Sequence, residues 1–327
     1  LRRVRARRRP RDDLDPVTGL PGSTAWRDRA VQAWHALDEA GIASTRSGLV
    51  VRQPGQRRRE PLWPFSQVLH ATVAVAACDD DAQARLDGLW SVLEDYRRGD
   101  GYAERPRLRT RYYDDDAWIA LAALADGSAT CRDLAARVLR FLRTGVRDDG
   151  GVLWVEGGAT RNACSTGGVG LVAARLPDEP GSREIAEGAL EFLLRLRDDD
   201  GLVADHVRAD GTVDPRIFTY NQGLLVGLLH ELGRTDDALE HARRTASAFD
   251  ADRLWQHPPA FTAILVGELV PVLPAHPDRG LSAYVEAYLD RAWSDARDPR
   301  TGLLAAGGIG RYDDGVLLDH AALVTAM

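Results

Sequence analysis

The chain has 327 residues, enough for one large domain or two, with 44% hydrophobic and 28% charged residues, the balance of a globular protein with a sizeable core. Its 42 basic residues against 49 acidic give a net charge of −7, which argues against nucleic acid as the main partner, because a phosphate backbone requires a basic face. Every basic residue is arginine, so lysine Schiff-base chemistry and a P-loop lysine are excluded.

In chain order, residues 1–20 (beginning LRRVRARRRPRDDLDP) are basic and lack a hydrophobic segment behind them. They read as a disordered tail and not as a complete signal peptide. A single domain is expected over 21–327. As it stands the sequence implies a cytoplasmic protein, and a longer N-terminus would leave export open. No apolar run reaches the ~18–20 residues of a membrane span.

From residue 24 onward two kinds of helix alternate. Amphipathic candidates with charged faces are 24–40, 81–98, 129–144, 182–197, 235–249 and 281–295; in the fourth, Ile185, Ala189, Leu193 and Leu196 recur at helical spacing between Arg and Glu. Between them lie segments with a polar or aromatic head and a body rich in Ala, Leu, Val and Gly: 61–77, 112–125, 161–176, 218–232, 258–273 and 311–327. A helix apolar all round is buried on all sides, and one with a charged face looks at water. Six of each predict an all-α (α/α)6 barrel, with the six heads gathered at one end around a common cleft. Asp/Gly-rich connections such as RDDGG (147–151) and RDDDG (197–201) suit tight turns. Short hairpins are expected near 149–158 and 201–208.

Cys78, Cys131 and Cys164 form no metal-type spacing and are expected as free buried thiols. The histidines show no paired ligand pattern, so no metal and no cofactor are expected.

The second head, YYDDDAW at 112–118, carries three consecutive carboxylates. One aspartate at a helix start caps free amides and suits the dipole. Three repel one another, and the flanking Tyr and Trp rings supply flat surfaces for sugars. Glycoside hydrolysis needs two nearby carboxyl groups: one attacks the anomeric carbon or activates water, and the other donates a proton to the leaving oxygen. Neighbouring residues lie ~3.8 Å apart at Cα, which leans towards the ~5–5.5 Å carboxyl separation of retaining enzymes.

The stretch YYDDDAW, with the later GGVLWVEGGATRNACSTGG (150–168) and FTYNQGLLVGLL (218–229), resembles glycoside hydrolase family 76, the α-1,6-mannanases. The resemblance runs from about Trp26 to the C-terminus. It implies a retaining, endo-acting enzyme on α-mannan or mannooligosaccharides, with Asp114 as nucleophile and Asp115 as general acid/base. It further implies substrate contacts from Asn162, Tyr220, Asn221 and Gln222; capping of the same helices is the competing role for Asn162 and the Tyr220–Gln222 stretch. Asp116, where the family often has another polar residue, is either a third acid in the site or a cap. Trp63, Tyr113, Trp118, Trp154 and Tyr220 lie in or near the heads, as candidates for sugar stacking. Trp26, Trp34, Trp90 and Trp293 are expected to pack between the helix rings. A monomer is expected. Two alternatives stand beside the hydrolase: a non-hydrolytic mannooligosaccharide-binding protein, and another (α/α)6 sugar enzyme such as an epimerase, which would be expected to place histidine in the cleft.

Overall fold

The computed structural model describes residues 23–46, 48–304 and 316–327. The basic tail and the head of the last inner segment, 311–315, lie outside the described residues. Six helices are buried nearly all round: α2 (Leu62–Ala76), α4 (Tyr113–Asp126), α6 (Ala163–Ala174), α8 (Thr219–Glu231), α11 (Pro259–Leu269) and α13 (Val316–Ala326). Each packs on the next, and α13 closes back on α2. Outside them stand α1 (Ser23–Gly41), α3 (Asp80–Leu93), α5 (Ala129–Leu142), α7 (Ser182–Arg195), α9 (Thr235–Ala248) and α12 (Arg279–Asp295). The fold is an (α/α)6 barrel, with one continuous hydrophobic core running from Ala30 to Ala326.

The small residues of the inner segments have a steric purpose. A Cβ at Gly223 in α8 would lie 2.5 Å from the Leu265 backbone of α11, so only glycine permits that approach. Three of the outer helices begin with side-chain caps: Asp79 accepts from the Ala82 amide, Ser128 from Cys131 and Asp278 from Leu281. Most inner helices have none, which leaves their heads available for other tasks. The rings of Trp26 and Trp293 sandwich Arg29, and Trp34 donates from Nε1 to Thr72 across the two rings of helices.

Three expectations need correction. Cys78, expected as a buried thiol, is exposed just past the end of α2, whereas Cys131 and Cys164 are buried. The fifth inner helix stops at Leu269, because Pro271 lacks an amide hydrogen and its last turn tightens into a 3-10 helix. The segment expected as a hairpin near 201–208 is instead the middle strand of a sheet: β6 (Ala204–Val207) pairs antiparallel with β5 (Arg161–Asn162) and β7 (Val213–Ile217). Near 149–158 there are isolated bridges, Val146 with Val152 and Tyr112 with Val155. Two further strand pairs and a short helix α10 (Ala251–Gln256) escaped the sequence reading: β1 (Ile42–Thr45) with β2 (Gly48–Val51), and β3 (Arg97–Arg98) with β4 (Gly101–Tyr102). No described helix is long and apolar enough to cross a membrane.

Candidate active site

The heads of the inner helices are tied together by their connections. The Tyr113 amide donates to the Trp154 carbonyl at 2.9 Å, and the Leu62 amide to the Glu104 carbonyl at 2.8 Å. The result is a cleft of about 610 Å³ lined from α2 by Trp63, from α4 by Asp114, Asp115 and Trp118, from the residue before α4 by Tyr112, from the segment leading into α6 by Trp154 and Asn162, and from the first turn of α6 by Cys164. Asp205, His206, Arg216, Phe218, Tyr220 and Phe261 also line it.

Asp114 occupies the first turn of α4. Its Oδ2 accepts from Trp154 Nε1 at 3.1 Å and from Cys164 Sγ at 3.3 Å, while Oδ1 is buried without a hydrogen bond. Both donors are uncharged, so no cation neutralises the group through them. Burial raises its pKa to about 6, against the opposing pull of Cys164, the first-turn amides and Trp154. The carboxylate is therefore ionised at neutral pH yet poorly hydrated. Asp115 follows in the chain, lines the same cleft and is half-buried.

Asp116 has another task. It is fully buried, and its Oδ1 accepts the Tyr102 amide of β4 at 2.8 Å. Burial holds its pKa well above the usual carboxylate range. Tyr113 likewise turns from the cleft: its ring stacks on Phe141 at 4.9 Å, packs over Gly145, and its hydroxyl meets Thr144 Oγ1 at 3.0 Å. Successive helical residues rotate by about 100°, so only part of Tyr-Asp-Asp-Asp can face one way.

The Tyr220–Gln222 stretch divides for the same reason. Tyr220 lines the cleft, with its hydroxyl 3.5 Å from Asp205 Oδ1. Gln222 is buried behind the wall; its Oε1 accepts the Val203 amide, and its Nε2 donates to the Val203 and Phe218 carbonyls. Asn221 is buried and does not line the cleft. Tyr113, Asp116, Asn221 and Gln222 are thus not brought to the cleft, contrary to the substrate-contact expectation. Asn162, expected either as a cap or as a sugar contact, makes no side-chain cap bond, and its Oδ1 is buried in the cleft wall without a protein partner.

Sequence reasoning missed the charged group that Asp205, His206 and Arg216 bring to the cleft. Asp205 on β6 accepts from Arg216 Nη2 at 3.1 Å, and His206 Nδ1 lies 3.0 Å from the same Oδ2. Asp214 holds Arg216 from the other side at 3.0 Å. VADHV shows no alternation of apolar and polar residues, and a register shift between Ala204 and His206 lets the neighbours Asp205 and His206 both line the cleft. The turn-rich Asp/Gly context further masked the strand. Among the described residues, one group of metal-ligand type, His35–Asp79–Asp81, sits on the outer helices, where Asp79 already caps α3.

The model of the family described as glycosyl hydrolase family 76 matches residues 43–256. The chain belongs to glycosyl hydrolase family 76. The family-76 glycoside hydrolase from a bovine Bacteroides thetaiotaomicron strain is similar in fold, with a TM-score of 0.78 at 19% identity over 93% of this chain and 77% of that one. The family-76 mannosidase Bt3792 of Bacteroides thetaiotaomicron VPI-5482 gives 0.78 at 20% identity over 92% and 96%. The α-1,6-mannanase GH76A of Salegentibacter sp. HEL1_6 gives 0.74 at 20% identity over 92% and 98%. An inactive variant of the Salegentibacter enzyme, with two consecutive aspartates changed to asparagine, has been solved with α-1,6-mannotriose. No curated protein matches this chain in sequence.

Proposed function

We propose that the protein is a retaining, endo-acting α-1,6-mannanase, with Asp114 as nucleophile and Asp115 as general acid/base. The observation that carries this reading is the pair of adjacent carboxylates in one cleft, of which Asp114 alone takes the two donors from Trp154 and Cys164. Those donors favour the anion, the form a nucleophile needs. In the first half-reaction Asp114 bonds to the anomeric carbon, the C–O bond to the leaving sugar breaks, and Asp115 gives its proton to the departing oxygen. In the second, water attacks the anomeric carbon and gives its proton to Asp115 while the bond to Asp114 breaks, so both carboxyl groups return to their starting states. Trp63, Trp154 and Tyr220 offer rings for the sugars, and Asn162 and Asp205 offer hydrogen-bonding groups to their hydroxyls.

Substrate class follows from kinship and chemistry together. The Salegentibacter relative has been solved with α-1,6-mannotriose and α-1,6-mannotetraose, oligomers that an endo-acting cleft must span. His206 in the cleft is the feature that favours the epimerase alternative, and D-mannose isomerase shares the fold with a TM-score of 0.68 at 12% identity. Family membership and the paired acids favour hydrolysis. Incubation with α-1,6-mannan should release a ladder of short mannooligosaccharides. Mannose alone would mean exo action, and calorimetric binding without cleavage would favour the non-hydrolytic alternative.

A further inference from the structure

Arginine accumulates on one rim of the cleft, against the overall charge of −7. Arg57, Arg58 and Arg59 precede α2, and the connection from β4 to α4 adds Arg105 and Arg107. Arg58, Arg59, Arg105 and Arg107 line a surface cavity of about 550 Å³ together with Asp95, Pro106 and Leu108. Arg105 also lines the cleft that holds Asp114 and Asp115, so the two spaces meet at that side chain. Part of this charge is spoken for: Arg59 pairs with Asp95, and Arg105 lies 3.8 Å from Glu104 and donates to the Arg59 carbonyl at 2.8 Å. Among the described residues, Arg58 and Arg107 have no ion pair or side-chain hydrogen bond, and both are exposed. Arg107 is the sole non-glycine described residue at positive φ, 69°, a conformation that disfavours a side chain.

We propose that this ledge binds phosphate groups carried by an α-mannan whose backbone lies in the cleft. The proposal rests on the mannanase reading and deepens it by naming a charged substituent of the substrate. Guanidinium groups pair with phosphate oxygens through two parallel hydrogen bonds, and the exposed pair Arg58 and Arg107 offers such forks beside a saccharide channel. An extended glycan threading past Arg105 would present its substituents to this rim.

The test uses affinity electrophoresis of the full chain through neutral α-mannan, the same mannan chemically phosphorylated, and phosphorylated dextran. It compares the wild type with a double variant, Arg58→Ser with Arg107→Gly; glycine suits the positive φ. Neither residue lines the cleft, so cleavage of neutral mannan should be unchanged. The wild type should bind phosphorylated mannan about tenfold more tightly than neutral mannan, the scale of one charge-assisted contact, and the gap should shrink with added salt. The double variant should bind the two alike. Equal binding by the wild type, a preference that survives in the double variant, or stronger capture by anionic phospholipid vesicles would overturn the ledge assignment. If neutral mannan is neither bound nor cut, the mannanase reading fails by itself. Phosphorylated dextran then reads the ledge alone: retention lost in the double variant upholds it, and no retention of the wild type refutes it.

Discussion

Cys164 at the head of α6 donates its thiol hydrogen to Asp114 Oδ2 at the head of α4, across 3.3 Å. A buried cysteine thus touches the carboxylate proposed to attack the sugar. After burial, this bond is the largest influence on the Asp114 pKa, and it acts downward.

The acid limb of the pH–rate profile should therefore report this contact. Protonated Asp114 cannot attack, so kcat/KM should fall as pH drops through about 6. In Cys164→Ala the donor is lost and the limb should move to higher pH; Cys164→Ser, with a stronger donor, should move it back or below. Stopped assays between pH 4 and 8 on a soluble α-1,6-mannooligosaccharide check both. An unmoved limb in Cys164→Ala would remove the cysteine from the chemistry.

Asp114→Asn should lose at least about a thousandfold in kcat and gain stability at neutral pH. The sign follows from the raised pKa. The folded state binds this proton more tightly than the unfolded chain, so the group's contribution to stability declines as pH rises from about 4 to 6. At pH 7 the buried charge costs on the order of 1–2 kcal/mol, allowing for partial solvent access. Thermal unfolding should show a higher Tm for the variant at pH 7 and a smaller difference near pH 4.

Asp116 should behave in the opposite way. Asp116→Ala leaves the Tyr102 amide without its acceptor and should destabilise by about 1–3 kcal/mol. Asp116→Asn keeps an acceptor and should retain kcat within a few-fold. Urea unfolding and kinetics on the same preparations separate this structural role from a catalytic one.

In the same cleft, Asp205→Ala should raise KM and lower kcat together, because it removes a proposed sugar contact and leaves Arg216 and His206 without their shared partner. Tyr220→Phe keeps the ring and should cost only a few-fold. Steady-state kinetics with mannotetraose distinguishes them; equal losses would mean Asp205 acts through its bond to the Tyr220 hydroxyl and not by its own contact with the sugar.

The barrel was legible because a helix buried on every side must be apolar on every side, as in GLLVGLL of α8, whereas α7 alternates Arg and Glu with Leu. The presence of Asp114 and Asp115 at a helix head was legible too. Which of their neighbours share the cleft was not read, although a two-residue step of about 200° of helical rotation already separates Asp116 from Asp114 and Gln222 from Tyr220. Asp205 and His206 were hidden for a different reason. They reach the cleft through β6, whose pairing with β5 and β7 joins segments from two separate inter-helix connections, and no local pattern specifies that. Cys164 was correctly expected to be buried, but burial in a core and burial in a cleft wall look alike in sequence.

Proton NMR of the first sugar released from an α-1,6-mannooligosaccharide, recorded before mutarotation, tests the two-carboxylate displacement most directly. Attack by Asp114 followed by attack of water inverts the anomeric centre twice, so the α-anomer should appear first and the β-anomer only later. A β-anomer present from the earliest spectra would mean water attacks directly, and would contradict a covalent role for Asp114.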